Sequence, residues 1–140
     1  VGQAAGLERA FWKIAMRPGK PLIAGKLNGV PMLGLPGNPV SAIVCGHLFL
    51  LPMLRAMLGD PAPAPHPRRA VLGIDVPANG PRAHYMRARL DWSGELPRIT
   101  PFDRQDSALL SILGQADALL IRPVGDGPRG AGDTVDYLVL

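Results

Sequence analysis

Apolar positions along this chain fall into two patterns, separated by a proline-rich gap. Up to residue 60 they form three short runs and then one long helical stripe. Residues 11–16, 22–27 and 30–35 each predict a buried or half-buried strand. Asn28-Gly29 between the last two is a two-residue hairpin signal. Residues 1–10 carry Ala4, Ala5, Leu7 and Ala10 and read as a short, partly helical lead-in. Over residues 42–58 the spacing is helical. Val40, Ile43, Val44, His47, Leu51, Leu54 and Leu58 share one face. Pro52 predicts a kink, because it removes the hydrogen bond to the carbonyl of Leu48. Gly59 is placed to cap the C-terminus.

Residues 60–67 read Asp-Pro-Ala-Pro-Ala-Pro-His-Pro, which predicts a stiff extended spacer. Beyond it the runs are short: 70–76, 84–91, 98–101, 118–123 and 134–140. Turn residues separate them at Asn79-Gly80, Ser93-Gly94 and the glycine-rich stretch 125–132. That rhythm predicts a small all-β barrel or sandwich. Asp106-Ser107 followed by Ala108, Leu109, Leu110, Ile112 and Leu113 predicts one or two helical turns, with either Asp106 or Ser107 as the cap. The expected organisation is an α/β piece over 1–60, a linker over 61–67 and an all-β domain over 68–140.

Composition narrows this picture. The 140 residues are 47% apolar, enough for a core, while 17 Gly and 16 Pro imply many turns. The formal charge is +4, but the basic residues are scattered, with no run of five or six. Small anionic ligands fit that distribution better than nucleic acid. Tyr85, Trp92, Phe102 and Tyr137 are too dispersed to form a base-stacking platform. The lone cysteine, Cys45, lies in the helical stripe, is expected to be a buried thiol, and suits a reducing, cytoplasmic setting. His47, Pro52 and Arg55 interrupt the longest apolar run, which reads as too short to span a bilayer. No membrane partner and no metal ligands are expected. A chain that starts on valine is expected to be a fragment or a processed product.

Candidate chemistry centres on Gly34-Leu35-Pro36-Gly37-Asn38-Pro39-Val40-Ser41. The pattern is strand, tight turn, helix start. Gly37 permits a sharp reversal, Asn38 is a good N-cap, and Pro39 suits the first helical position. Ser41 then lies in the first turn, at the positive end of the helix dipole, where N–H groups and a hydroxyl can hold an oxyanion. On local pattern alone the stretch is either such a site or simply a well-made helix start. Upstream, Arg17-Pro18-Gly19-Lys20-Pro21 is a turn carrying two basic side chains. The glycines at 125–132 lack the strand-loop-helix context and the Lys-Ser/Thr pair of a phosphate-binding loop, and read as a turn.

Met16-Arg17-Pro18-Gly19-Lys20-Pro21, followed about a dozen residues later by the Gly34–Ser41 octet, closely resembles the MoeA family of molybdopterin molybdenumtransferases, which includes the E domains of gephyrin-like proteins. Tyr85-Met86-Arg87-Ala88, Gln105-Asp106-Ser107 and the glycine-rich turn before the last strand extend the resemblance across the chain. It implies the end of a molybdopterin-binding-like α/β domain followed by the family's small C-terminal β-barrel. It implies a longer enzyme that inserts molybdate into adenylylated molybdopterin with release of AMP. This chain is expected to supply part of the oxyanion site and to be inactive alone. The family's magnesium ligands and acidic residues lie upstream, outside the chain. A homodimer and a molybdopterin adenylyltransferase partner are implied for the longer protein.

Carried onto matching positions, the resemblance implies that Arg17, Lys20, Pro21, Ser41, Arg87 and Ser107 hold molybdate, with Gly37, Asn38 and Pro39 in a substrate loop. Their roles would be electrostatic and orienting, and none is assigned as a catalytic nucleophile. Arg17 stands where the family usually has lysine, a change from a point charge to a planar fork. A non-catalytic scaffold of the same fold is the alternative reading.

Overall fold

The computed structural model describes residues 6–11, 13–105 and 110–140. The described residues form two sheets, one long helical stretch and a single helical turn at Leu110–Leu113. A three-stranded antiparallel sheet has the order β1–β3–β4, with β1 Leu7–Phe11, β3 Ile23–Leu27 and β4 Val30–Gly34. The hairpin β3–β4 turns on Asn28 and Gly29, both at positive φ (50° and 81°), the conformation of a tight two-residue turn. The strand expected over 11–16 is divided: β1 ends at Phe11, and Met16–Arg17 form a separate strand, β2. Leu7 to Ala10, expected in a partly helical lead-in, belong to β1, because the short stretch finds a partner in β3.

The second half forms a closed barrel. Strands β5 (Arg68–Leu72), β6 (Ala83–Asp91), β7 (Arg98–Pro101), β8 (Ala118–Arg122) and β9 (Thr134–Val139) follow one another in the order β6–β7–β5–β9–β8, and β8 pairs back onto β6. Closure removes free edges from the sheet. The first barrel strand stops at Leu72 rather than 76; Val76 makes an isolated bridge to Arg129 instead. The barrel interior is Ala70, Leu72, Val76, Ala88, Ile99, Ala118, Leu120, Val135 and Tyr137.

The helical stretch runs from Pro39 to Met57. It comprises α1 (Pro39–Cys45), a wide π turn (Gly46–Leu50) and α2 (Leu51–Met57). The π turn explains how Pro52 is accommodated. Widening the ladder just before it absorbs the backbone that a proline cannot pair. At nineteen residues and a mean hydropathy of 1.7, the uninterrupted stretch is long and apolar enough to cross a membrane by length and composition, so the expected interruption does not hold. Gly59, at φ 87°, follows the C-terminus as expected.

The buried face differs from the expected one. Val40, Ser41, Val44, Cys45 and Leu48 are buried, whereas Ile43, Leu51, Leu54 and Leu58 are exposed. An extra residue in the π turn rotates everything beyond it by about 100°. Leu51, Leu54 and Leu58 therefore leave the face that α1 sets.

A second core joins the halves. Met16, Leu22, Val40, Val44, Cys45 and Leu48 pack with Leu119 and Leu138 of the barrel. Strand β8 makes this possible because both of its faces are apolar: Ala118 and Leu120 point into the barrel, Leu119 and Ile121 toward the helix. Strand β2 strengthens the junction by pairing in parallel with β6, Met16 opposite Ala83 and Arg17 opposite His84. Residues 61–67 between the halves carry neither helix nor strand.

Candidate functional site

The β2–β6 pairing decides where the site lies. It brings the turn after β2 against the start of β6 and against the first turn of α1. A cleft of about 330 Å³ opens there, lined by Arg17, Pro18, Gly19, Lys20, Pro21, Ser41, Arg82, His84 and Gln105. Three sequence-distant segments thus supply Arg17 and Lys20, Ser41, and Arg82 with His84. Three basic side chains, a hydroxyl, an imidazole and an amide converge, and no carboxylate is among the described residues that line the cleft. A larger groove of about 460 Å³ lies beside β1 and β3, but its Glu8, Arg9 and Lys26 are of mixed sign, which leaves no net preference for an anion.

Local structure fixes each group. Gly19, at φ 112°, lets the loop turn between Arg17 and Lys20, and it is packed on Cys45 of α1. Only glycine fits this contact, since a Cβ would overlap the sulfur. Asn38 caps α1 as expected: its Oδ1 accepts from the Ser41 N–H (3.2 Å) and its carbonyl from the Ala42 N–H (2.8 Å). Because Pro39 has no N–H and those two are engaged, the helix start presents chiefly the Ser41 hydroxyl and the dipole, not the row of free N–H groups that the sequence suggested. Gly37 also departs from expectation. Its φ is not positive, and a Cβ there would meet nothing within 4 Å, so the turn itself does not require glycine.

Arg17 is steered by Asn79. Its Nη2 donates to Asn79 Oδ1 (3.3 Å), while Asn79 Nδ2 donates to the carbonyls of Arg82 (2.9 Å), Arg122 (3.1 Å) and Pro123 (2.6 Å). One amide thereby ties the cleft rim to the end of β8. Gln105 copies a strand partner: its Nε2 donates to the Arg87 carbonyl (2.9 Å) and its Oε1 accepts the Arg87 N–H (2.9 Å).

His84 is buried, 8% exposed, and lies opposite Arg17 on one side and Arg122 on the other. Burial first, then Arg17, Arg87, Arg122 and Arg82, push its pKa down from 6.5 to about 4. Arg122 is itself buried and compensated, donating to Asp126 Oδ2 (2.6 Å) and to the carbonyls of Gly127 (2.6 Å) and Pro77 (3.0 Å). Cys45 is fully buried, and desolvation raises its thiol to about 11, an inert state in line with the sequence reading.

Of the residues singled out from sequence, Arg17, Lys20, Pro21 and Ser41 meet at the cleft. Arg87 is not among the described residues that line it; it is 1% exposed in β6, its backbone holds Gln105, and its charge acts on His84. Gly37, Asn38 and Pro39 form the turn that leads into α1. Ser107 lies outside the described residues. Arg82, His84 and Asn79 were not singled out. Among the described residues no group of His, Cys, Asp or Glu is arranged to hold a metal ion.

Two family models cover the chain: the MoeA C-terminal region (domain IV) matches residues 69–140, and the probable molybdopterin-binding domain matches residues 1–56. The chain belongs to the MoeA family. The molybdopterin molybdenumtransferase of Bacillus subtilis is 30% identical over all of this chain, which covers 33% of that protein. Molybdopterin molybdenumtransferase 2 of Mycobacterium tuberculosis H37Rv is 42% identical over 58% of the chain and 20% of its own length. The crystal structure of a molybdopterin biosynthesis MoeA protein from Pyrococcus horikosii superposes with a TM-score of 0.78 at 26% identity, covering 98% of this chain and 33% of that one. The chain thus spans about a third of the length of the Bacillus relative. The α/β piece and the small barrel are the family's own pairing of domains.

Proposed function

We propose that this chain provides the oxyanion-holding part of a molybdopterin molybdenumtransferase, which inserts molybdate into adenylylated molybdopterin with release of AMP. The observation that carries the reading is the convergence of Arg17, Lys20 and Arg82 on one cleft beside Ser41, with no carboxylate among the described residues that line it. Molybdate is a tetrahedral dianion. Cations offset its charge, and the Ser41 hydroxyl and the α1 dipole orient one oxygen. Arg17, a fork held by Asn79, can address two oxygens at once. Gly37, which the turn does not require, leaves room for a ligand to approach the backbone. These groups bind and orient; none attacks. Arg87 adds positive potential beside His84, and Arg87 and Ser107 belong to the same oxyanion-binding set.

The described residues offer no carboxylate cluster for magnesium. On this reading residues 1–60 end the α/β domain, 61–67 link it to the barrel of 68–140, and the longer protein is a cytoplasmic homodimer supplied by a molybdopterin adenylyltransferase. It holds magnesium outside this chain, and the chain alone is inactive. Equilibrium dialysis against tungstate tests the site. The Lys20→Gln and Arg82→Gln variants should each bind about tenfold more weakly with the fold intact, the loss of one charge-assisted contact. Equal affinity in both variants and the parent chain refutes it.

A further inference from the structure

Among the described residues that line the cleft, His84 is the one whose side chain ordinarily titrates near neutral pH. It sits on β6 between Arg17 on β2 and Arg122 on β8, in strand register with both. Among the described residues the charges acting on it are cationic: Arg17 from β2, Arg82 from the approach to β6, Arg87 from β6 and Arg122 from β8. Lys20 lines the same cleft from the loop opposite. Asp126, the nearby carboxylate, is committed to Arg122 and Arg129.

We propose that His84 is a further oxyanion-binding residue of this cleft, taking up one proton from solvent as a tetrahedral dianion docks and donating the resulting N–H to it. The inference rests on the oxyanion reading of the site. Its logic is charge balance. Four arginines and burial hold the imidazole neutral, at a pKa of about 4. Two negative charges placed between Arg17, Lys20 and Ser41 cancel much of that repulsion, so the imidazolium becomes favourable in the complex. By linkage, whatever raises the proton affinity of His84 is itself bound more tightly when the proton is present. Affinity for a dianion therefore increases as pH falls toward 5. A monoanion cancels less charge and gains less. His84 thus makes the cleft select doubly charged oxyanions over singly charged ones of similar size.

Sulfate is a suitable probe, because it stays a dianion throughout the useful pH range. Titration calorimetry of the chain in two buffers of different ionisation enthalpy counts the protons taken up. At about pH 4.5 the expected uptake is about half a proton per sulfate bound. In His84→Gln, sulfate should still bind with the uptake abolished. A second measurement needs no variant. The chain has three histidines, and NMR follows each ring. The one that titrates lowest should do so about one pH unit higher in saturating sulfate, the other two unchanged. Sulfate binding with no proton uptake and an unmoved titration overturns the role of His84 and leaves the anion site standing. No sulfate binding at any pH overturns both.

Discussion

Gly19→Ala should disturb the fold and the site together. Gly19 lies between the two cations of the cleft loop, buried, with φ at 112°. An alanine there carries a backbone cost of about 1–3 kcal/mol, since L side chains rarely adopt such angles. Its Cβ would also overlap the Cys45 sulfur, with Met16 Cε at 3.5 Å beside it. Overpacking of that kind costs about 1–3 kcal/mol more. The sum, about 2–6 kcal/mol, is a large share of the stability of an ordinary domain. Cys45→Ala alone removes one sulfur from a packed core and should cost about 1–2 kcal/mol. The informative variant is the double one. Removing the sulfur frees the space the alanine needs, so the pair should be more stable than additivity predicts by about 1–3 kcal/mol, the overlap term alone. The residual loss measures the backbone strain. Urea unfolding followed by circular dichroism gives all three values. Tungstate affinity of Gly19→Ala should fall as well, because Arg17 and Lys20 are displaced with the loop. Additive losses in the double variant would mean that Gly19 does not pack on Cys45, and the account of how α1 positions the loop would fail.

Two further outcomes follow from the same geometry. Asn79→Ala leaves the carbonyls of Arg82, Arg122 and Pro123 without their donor and should cost about 2–3 kcal/mol in urea unfolding, with a several-fold weaker grip on tungstate through Arg17. His84 also makes the fold acid-sensitive. Its native pKa is about 4 against 6.5. The unfolded chain therefore takes the proton first, and stability falls as pH drops from the ordinary histidine value toward the native one. The loss by pH 4 should be about 2 kcal/mol, allowing for solvent screening at the cleft mouth, and His84→Gln should remove that part of the pH profile. An unchanged profile in the variant would assign the acid sensitivity elsewhere.

Features written in local sequence were legible. Asn28-Gly29 dictates its hairpin, and Asn38-Pro39 its helix start, because each needs only the backbone preferences of two adjacent residues. Lys20 and Ser41 could be paired from spacing and family resemblance. What escaped depends on long-range register. Nothing in Met16-Arg17 announces a parallel pairing with β6, yet that pairing alone sets His84 beside Arg17 and brings Arg82 to the rim. The signal for Asn79 was read only as a turn, since its three carbonyl partners come from other segments. Family resemblance alone put Arg87 at the cleft. The strand is covered on both sides, so the alternation points it into protein rather than into the opening. The helix face was misjudged because a periodic template cannot foresee the residue inserted by the π turn.

The central claim is that the cleft between Lys20, Ser41 and Arg82 holds a tetrahedral oxyanion. Anomalous scattering from a tungstate-soaked crystal tests it most directly. The account predicts a peak between those three residues, within hydrogen-bonding reach of Arg17 and His84. Tungstate bound elsewhere, with this cleft open and unoccupied, would contradict it.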